Sequence, residues 1–423
     1  MKILLIASLT SETGNFSTAD RIKRCLSDCN VDCWLRCVTC FKDSLSVKEF
    51  VYKHNLACVL GIHAWRTGRL LLDCPVPFSI IFGGTDLNEH YKNKDKLETM
   101  RKAVEKARYL VAFSNSMKKQ ARDLWPKCEE KIILQPQGNI IIMLQYVYLS
   151  GIPTAIALNH DCKGSSCYCY QSLLSVTAVS GGRVCAIPRI SGKLLGISDF
   201  LLQGLGECGL INFFIILISC FSFFIDPQKR CPMLNGCIEH ESPGMVVFLL
   251  VAGLRPVKDP LYLAASIAEW HKEDHLVHLV VVGPELHTEF AREVKCKVQR
   301  FPGVIVLPSL QACDLHAAMQ TCFAVVNSST SEGMASAVLE SMALGVPVLA
   351  RNIPGNSALI KHRETGLLFN TPEEFVTFAK ELKESPSLCH YITTNAKKYV
   401  CEHHSIEGEK KTYKGLLDKL APH

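Results

Sequence analysis

Short apolar runs alternate with longer segments of mixed charge along most of the chain. The runs at 1–8, 57–62, 78–82 and 109–113 predict buried strands, and the segments at 17–26 and 92–107 predict helices. After residue 245 the alternation resumes, with strands predicted at 246–252, 277–283 and 322–326 and helices at 260–270, 285–299, 335–344, 373–383, 388–400 and 406–420. Such alternation predicts the α/β class, with a parallel sheet covered by helices on both faces in each half of the chain.

The alternation stops between residues 139 and 243. A chain of 423 residues also exceeds what one hydrophobic core usually holds. We therefore predict a first domain at 1–138, an atypical insertion at 139–243 and a second domain at 244–423. The net charge of +6 comes from lysines and arginines spread along the chain, which disfavours a nucleic-acid-binding stripe and suits an anionic substrate.

The first eight residues resemble the start of a signal peptide, but a first β-strand explains them better. Their apolar stretch is about six residues, shorter than a signal h-region, and the polar segment 10–20 has no Ala-x-Ala-like cleavage site. A strand followed by a Gly-containing loop and a helix is the usual opening of a parallel sheet. We expect a cytoplasmic protein, with secretion or membrane association as the alternatives.

The chain has 21 cysteines, several of them three or four residues apart between Cys25 and Cys40. Without a secretory signal they are predicted to be reduced thiols, mostly acting as small buried hydrophobic residues. Cys37-Val38-Thr39-Cys40 is a single C-x-x-C, and no second pair follows at the spacing of a structural zinc site.

The insertion contains one apolar run, at 209–225, which is about seventeen residues long and near the lower limit for crossing a bilayer. It is open whether this run is a membrane anchor, a buried or interfacial helix, or part of an inserted exon without an evolved fold, and we favour the last. The segment 204–209 fits G-x-G-x-x-G, but no βαβ unit surrounds it, so we discount a dinucleotide site.

Two glutamates, Glu332 and Glu340, flank a turn that opens a helix. The turn follows a predicted strand, and in an open α/β sheet ligands bind at the carboxyl ends of the strands. Free N–H groups of the helix start suit a phosphate, and a carboxylate inside the helix can accept hydrogen bonds from vicinal hydroxyls. A sugar nucleotide offers both groups. The alternative is a capped helix with two solvated glutamates.

Other polar residues follow predicted strands in both halves. Those after strands of the first half, in loops expected to face a cleft, are Gly14, Asn15, His63, Thr85 and Asp86. In the second half, Arg255 and Lys258 lie at a predicted helix start, where cations are disfavoured unless an anion is bound. An Arg fork and a Lys point charge can together neutralise a diphosphate.

The segment 331–348 resembles the E-x7-E element of the retaining GT-B glycosyltransferases, group 1 or family 4, and the resemblance extends over most of 1–138 and 246–400. It implies two Rossmann-like domains facing a cleft, with an irregular insertion between them here. The last helix is expected to cross back to the first domain. Gly333-Met334-Ala335 stands where the family usually has Gly-Phe-Gly, which puts the family's backbone contact to the donor sugar in question.

The resemblance also implies roles for single residues. Glu332 would contact the donor sugar, and Glu340 would bind the ribose. Arg255 and Lys258 would hold the diphosphate, at a shorter spacing than in the family, and His63 would orient the reacting hydroxyl. Backbone at the ends of the next two strands, at Gly283 and Pro308, would line the base pocket. Four residues would lie on the acceptor side: Gly14, Asn15, Thr85 and Asp86.

The function implied is transfer of a sugar from a nucleoside-diphosphate sugar to an acceptor hydroxyl, with retention of configuration at the anomeric carbon. No cofactor is expected, and the absence of D-x-D from the sequence predicts metal-independent transfer. The expected partners are the nucleotide sugar and an unidentified acceptor, without nucleic acid. Two alternatives stay open: a degenerate transferase that binds a sugar nucleotide without turnover, and a protein anchored in a membrane through 209–225.

Overall fold

The computed structural model describes residues 1–10, 13–139, 177–180, 183–186 and 244–421. The first sheet has six parallel strands in the order β2-β1-β3-β4-β5-β6. They are β1 (Lys2–Ala7), β2 (Asp32–Cys37), β3 (Cys58–Ile62), β4 (Phe78–Ile81), β5 (Tyr109–Ala112) and β6 (Ile132–Leu134). Nearly every side chain of β1, β3 and β4 is buried, as expected for strands covered on both faces.

Six helices from the first part of the chain pack on this sheet, and side-chain caps set the starts of four of them. They are α1 (Gly14–Ser27), α2 (Ser44–His54), α3 (Gly68–Leu71), α4 (Gly84–Asn88), α5 (Lys94–Lys106) and α6 (Asn115–Leu124). Thr13, Asp43, Asn93 and Ser114 each accept a backbone N–H of the first turn that would otherwise lack a partner. We call this sheet with its helices the first lobe.

The second lobe repeats the plan with the strand order β11-β10-β9-β12-β13-β14, again fully parallel. The strands are β9 (Val246–Val251), β10 (Val277–Val282), β11 (Val304–Leu307), β12 (Ala324–Asn327), β13 (Val348–Arg351) and β14 (Leu367–Phe369). The strand order reverses between β9 and β12. Loops after these two strands therefore diverge and leave a crevice at the carboxyl edge.

Helices again pack on both faces of the second sheet. They are α7 (Ala264–Glu273), α8 (Thr288–Val298), α9 (Ala312–Thr321), α10 (Ser336–Leu344), α11 (Pro354–Ser357), α12 (Pro372–Glu384) and α13 (Pro386–His403). Phe248 contributes to the core on one face and Leu249 to the core on the other. Gly345, in the left-handed conformation with φ 75°, ends α10.

The last helix, α14 (Ile406–Leu420), belongs to the first lobe's core, although it follows the second lobe in sequence. Tyr413, Leu416 and Leu417 are buried there. The fully buried carboxylate of Glu409 binds Arg21 of α1, at 2.8 Å from Oε2 to Nε, and accepts the backbone N–H of Gly138 at 3.0 Å. A buried ion pair thus ties the end of the chain to its beginning.

In the sequence between the two lobes, the structure describes two short strands, β7 (Thr177–Ser180) and β8 (Arg183–Ala186), which pair antiparallel. The apolar run at 209–225 and the glycine pattern at 204–209 lie outside the described residues. Among the residues that are described, no helix has the length and apolar character needed to span a membrane.

Most predicted elements form within a few residues of their expected bounds, including the strand at the amino terminus. Several strands were not predicted, among them β2, β6, β13 and the pair β7 and β8. β2 is an edge strand with alternating polar residues, and β6 has only three residues. The helix expected at 260–270 begins later, at Ala264. Arg255 therefore precedes, and Lys258 ends, a 3₁₀ turn (Pro256–Lys258) instead of the first turn of an α-helix.

Candidate active site

His63 lies directly after β3 with its ring buried and its backbone in the left-handed region, at φ 78°. Its Nε2 is 2.8 Å from Oδ1 of Asn15, and its Nδ1 is 3.2 Å from the hydroxyl of Thr85. A Cβ at Gly83 would lie 1.8 Å from the His63 ring, so only glycine leaves room for it. Three loops of the first lobe therefore fix one imidazole.

Asp86 lies beneath this histidine with no exposed surface. Its carboxylate accepts backbone N–H groups from Ala64 at 2.7 Å, Gly83 at 3.0 Å and Trp65 at 3.2 Å, and lies 3.4 Å from Nδ1 of His63. Burial opposes its ionisation, but His63 and the hydrogen bonds outweigh burial and hold the pKa well below its usual range. Asp86 thus positions the His63 loop, and its place on the acceptor side stays a prediction.

Glu332 lies in the loop between β12 and α10, where one of its oxygens, Oε1, receives three donors. These are Nζ of Lys258 at 2.5 Å, the hydroxyl of Ser329 at 2.7 Å and Nδ2 of Asn327 at 3.3 Å. Burial alone would raise the pKa of Glu332. The Lys258 charge and these hydrogen bonds outweigh burial, so the pKa lies below its ordinary value. Glu332 and Lys258 are therefore an ion pair in this structure.

Arg255 directly precedes the 3₁₀ turn after β9, and one nitrogen of its side chain is unusual. Its Nε is buried and has no hydrogen-bond partner among the described residues. A buried guanidinium N–H without a partner costs roughly 1–3 kcal/mol, more for a charged group. An anion bound at this turn would remove that cost, which fits a diphosphate at the crevice between β9 and β12.

Glu340, on α10, is partly exposed and contacts His316 of α9, with Nε2 of the histidine 3.1 Å from Oε2. The sequence did not single out His316, because it lies 24 residues before Glu340. Three further predicted residues lie elsewhere. Gly14 begins α1 with open space around it, and Pro308 is exposed after β11. Gly283 packs so closely on the end of β9 that a Cβ would lie 2.3 Å from the carbonyl oxygen of Ala252, the residue after that strand.

The two lobes meet at the loop that carries Glu332. The backbones of Gly84 and Gly333 are so close that a Cβ on Gly84 would lie 2.3 Å from the Gly333 nitrogen. Met334 packs against the first lobe's core and also against a core cluster of the second lobe. The side chain of Asn88 donates to the Glu332 carbonyl at 3.3 Å, so the glutamate loop is held from both sides.

Asn88 is itself oriented by the first lobe. Its Oδ1 accepts a hydrogen bond from Nε2 of Gln120, on α6, at 3.1 Å. Neither residue was predicted from the sequence, since no local pattern indicates a contact that joins residues 88 and 332.

A cavity of about 470 Å³ opens beside this contact, a size typical of small-molecule sites. Both lobes line it, with Asn88, Glu89 and Lys92 from the first and Pro256, Val257, Thr330, Ser331, Glu332 and Pro354 from the second.

Cysteines and possible metal ligands do not add chemistry to the site. Burial raises the pKa of Cys25, Cys33 and Cys58 to about 12, so these thiols stay protonated. Within the described part of the chain, no three His, Cys, Asp or Glu side chains are grouped to hold a metal ion. Metal-independent transfer stays a prediction.

Comparisons with known proteins agree with this arrangement. The family model "Glycosyl transferases group 1" matches residues 239–399. A Xenopus tropicalis protein named glycosyltransferase 1 domain-containing protein 1 is 35% identical over 420 residues, which are 99% of this chain and 98% of the relative. An Escherichia coli UDP-Gal:alpha-D-GlcNAc-diphosphoundecaprenol alpha-1,3-galactosyltransferase is 29% identical over 160 residues, 36% of this chain and 41% of that enzyme.

Among solved structures, Anabaena HepE in complex with UDP-glucose superposes with a TM-score of 0.65 at 14% identity, covering 99% of this chain and 100% of HepE. This likeness concerns the fold, two parallel sheets facing a cleft in the GT-B arrangement. The chain therefore belongs to the glycosyltransferase group 1 family and has its GT-B fold.

Proposed function

We propose that the chain transfers a glycosyl group from a UDP-sugar to an acceptor hydroxyl, with retention of the anomeric configuration and without a metal or cofactor. The observation that carries the proposal is the Nε of Arg255, which is buried and has no hydrogen-bond partner in the described part of the chain. It directly precedes the turn that ends at Lys258, at the strand-order reversal of the second lobe. Uridine is favoured as the nucleoside because HepE was solved in complex with UDP-glucose and the Escherichia coli relative is named for UDP-Gal.

In this proposal Lys258 changes partner when the donor binds. Without donor, its ammonium group neutralises Glu332. The β-phosphate would bring two further oxygens to Lys258 and Arg255, and their combined charge would stabilise the leaving diphosphate. Glu332, released from Lys258, would then accept hydrogen bonds from hydroxyls of the donor sugar. Glu340 would bind the ribose, which requires it to release His316.

His63 would act from the other side of the cleft. Its ring is held by Asn15, Thr85 and Asp86 before any substrate arrives, so ordering it costs little when substrate binds. We assign it the orientation of the reacting hydroxyl for attack on the face from which the diphosphate leaves.

The test is thermal unfolding of the full chain with UDP, UDP-glucose, UDP-galactose, UDP-N-acetylglucosamine and GDP-mannose. A ligand at a hundred times its dissociation constant adds about 2.7 kcal/mol to the free energy of unfolding. We expect stabilisation by UDP and at least one UDP-sugar, lost in Arg255→Ala. The matched control is Arg292→Ala, which removes an exposed arginine of α8. An equal response to every nucleotide, or none, would contradict the proposal.

A binding protein without turnover is the second candidate. Met334, in place of the family's phenylalanine, fills space between the lobes beside the glutamate loop. UDP release separates the two candidates. It is measured with the UDP-sugar that raises thermal stability, because a binding protein without turnover would be stabilised by that donor and yet release no UDP with any acceptor.

A further inference from the structure

His90 is a histidine that the proposed function leaves without a role. It lies in a 3₁₀ turn (His90–Lys92) just after α4, and its side chain is only 14% exposed. The ring nitrogen Nδ1 is buried and forms no hydrogen bond with any residue that the structure describes. A buried polar group without a partner is destabilising, so an acceptor within reach of Nδ1 would favour the fold.

That nitrogen faces the carboxylate of Asp86, at 3.5 Å from Oδ1. The two residues are four positions apart, a spacing at which side chains of a helical segment lie on the same face. Their separation exceeds the length of an ordinary N–H···O hydrogen bond, and a shift of roughly 0.5 Å would form one. The carboxylate is ionised and has no exposed surface, so that bond would be charge-assisted.

Asp86 divides its two oxygens between two histidines. Oδ2 accepts two backbone N–H groups and lies 3.4 Å from Nδ1 of His63. Oδ1 accepts one backbone N–H, from Trp65 at 3.2 Å, and faces His90. The terminal torsion of an aspartate has broad preferences of its own, so hydrogen-bond donors decide how its carboxylate is turned. A donor on Oδ1 therefore also fixes the direction of Oδ2, which points toward His63.

We propose that His90 is a positioning residue for glycosyl transfer. Its Nδ1–H holds Oδ1 of Asp86, which keeps Oδ2 directed at His63 and the His63 ring in place for the reacting hydroxyl. The role in transfer rests on the proposed function, in which His63 orients that hydroxyl. Because His90 acts through Asp86 on the acceptor-side histidine and not on the diphosphate, its loss should lower kcat and leave donor binding unchanged.

Two substitutions in the full chain separate the nitrogen of His90 from its ring. His90→Phe removes Nδ1 and keeps an aromatic ring, which in the parent meets Trp65 edge-on at 6.4 Å between ring centroids. His90→Asn does the opposite, since its amide N–H lies close to the position of Nδ1 while the rest of the ring is lost. The matched control is His390→Phe, at an exposed position of α13.

Carbon–proton NMR of chains labelled at the histidine Cε1 reports on His63 without any need for turnover. The His63 resonance is identified by its loss in His63→Gln. We expect His90→Phe to displace this resonance, His90→Asn to return it most of the way to the parent position, and His390→Phe to leave it in place. Thermal unfolding of each variant checks that it is folded.

The second readout is UDP release from the stabilising UDP-sugar, with water as the acceptor. His90→Phe should lower kcat about tenfold, as expected for the loss of one hydrogen bond to a charged group, and His90→Asn should recover most of it. The KM for the donor should stay within about twofold in both variants. The same split is not expected from general loosening of the lobe, which would also weaken donor binding.

An unmoved His63 resonance in folded His90→Phe would overturn the proposal. It is equally overturned if His90→Asn displaces the resonance as far as His90→Phe does, since the ring and not the nitrogen would then matter, or if the donor KM rises while kcat is unchanged. A parent chain that is not stabilised by UDP and releases none contradicts the proposed function instead, and the NMR result still decides whether His90 holds His63.

Discussion

The two walls of the cleft are prepared for substrate in different ways. On the first lobe, His63 and Asp86 are buried and are held by hydrogen bonds to Asn15, Thr85 and backbone N–H groups. On the second lobe, the Nε of Arg255 has no hydrogen-bond partner among the described residues, and Lys258 is paired with Glu332. Hydrogen bonds hold the first wall rigid, whereas under the proposed function the charged groups of the second wall are available to an anion.

The strongest test of the rigid wall is Asp86→Ala. Removing a buried carboxylate that accepts three backbone N–H groups should lower the free energy of unfolding by about 3–5 kcal/mol. The control Asp123→Ala, at an exposed position of α6, should change it by no more than about 0.5 kcal/mol. Urea unfolding gives both values. A small effect at Asp86 would mean that the His63 loop is held by other contacts.

The same carboxylate predicts a pH dependence. Because the folded-state pKa of Asp86 is lowered, its stabilising contribution is complete above the unfolded-state value of about 4 and is lost as the pH falls toward the folded pKa. Stability of the parent chain should therefore decline below about pH 4 more steeply than that of Asp86→Ala. Parallel curves between pH 5 and pH 2.5 would rule out this contribution.

On the second-lobe wall, Glu332→Gln is the informative change. It frees Lys258, so we expect UDP to bind about tenfold more tightly while glycosyl transfer slows about a hundredfold, because the sugar loses its carboxylate partner. Calorimetry measures the first effect and UDP release the second. If UDP binding weakens instead, Glu332 supports the diphosphate site and does not compete for Lys258.

The contact between the walls can be opened with Gly84→Ala. The added Cβ would meet the Gly333 backbone at 2.3 Å, so the lobes must separate, and we expect the KM for the donor to rise about tenfold with a larger radius of gyration in small-angle scattering. Gly415→Ala, in α14 with nothing within 4 Å, is the control and should stabilise by about 0.5–1 kcal/mol. An unchanged KM would show that the loop adjusts locally.

The smallest effect is expected at His316. Its contact with Glu340 is partly exposed, and such pairs are worth about 0–1 kcal/mol. His316→Ala should therefore tighten UDP binding by no more than about fivefold, since Glu340 becomes available to the ribose without losing a partner. Weaker binding would mean that His316 orients Glu340 for the nucleotide.

The sequence predicted the fold well because parallel strands buried on both faces are continuous apolar runs, as at β1, β3 and β4. It missed β2, an edge strand with polar alternation, and the short β6. Glu332 and His63 could be selected as candidates because they follow strand ends, and Glu340 because it lies eight positions after Glu332 in a segment that resembles the E-x7-E element. Asn88, Gln120 and His316 could not, since their roles depend on neighbours that only the packing of lobes and helices brings close.

The return of α14 to the first lobe has a consequence for synthesis on the ribosome. Tyr413, Leu416 and Leu417 complete the core that β1 begins, and Glu409 supplies the partner of Arg21. Domains generally fold as the chain emerges, but this lobe lacks part of its interior until residues 406–420 have been translated. The lobe made first is thus completed only after the second lobe, and a premature stop before residue 406 would leave its core open.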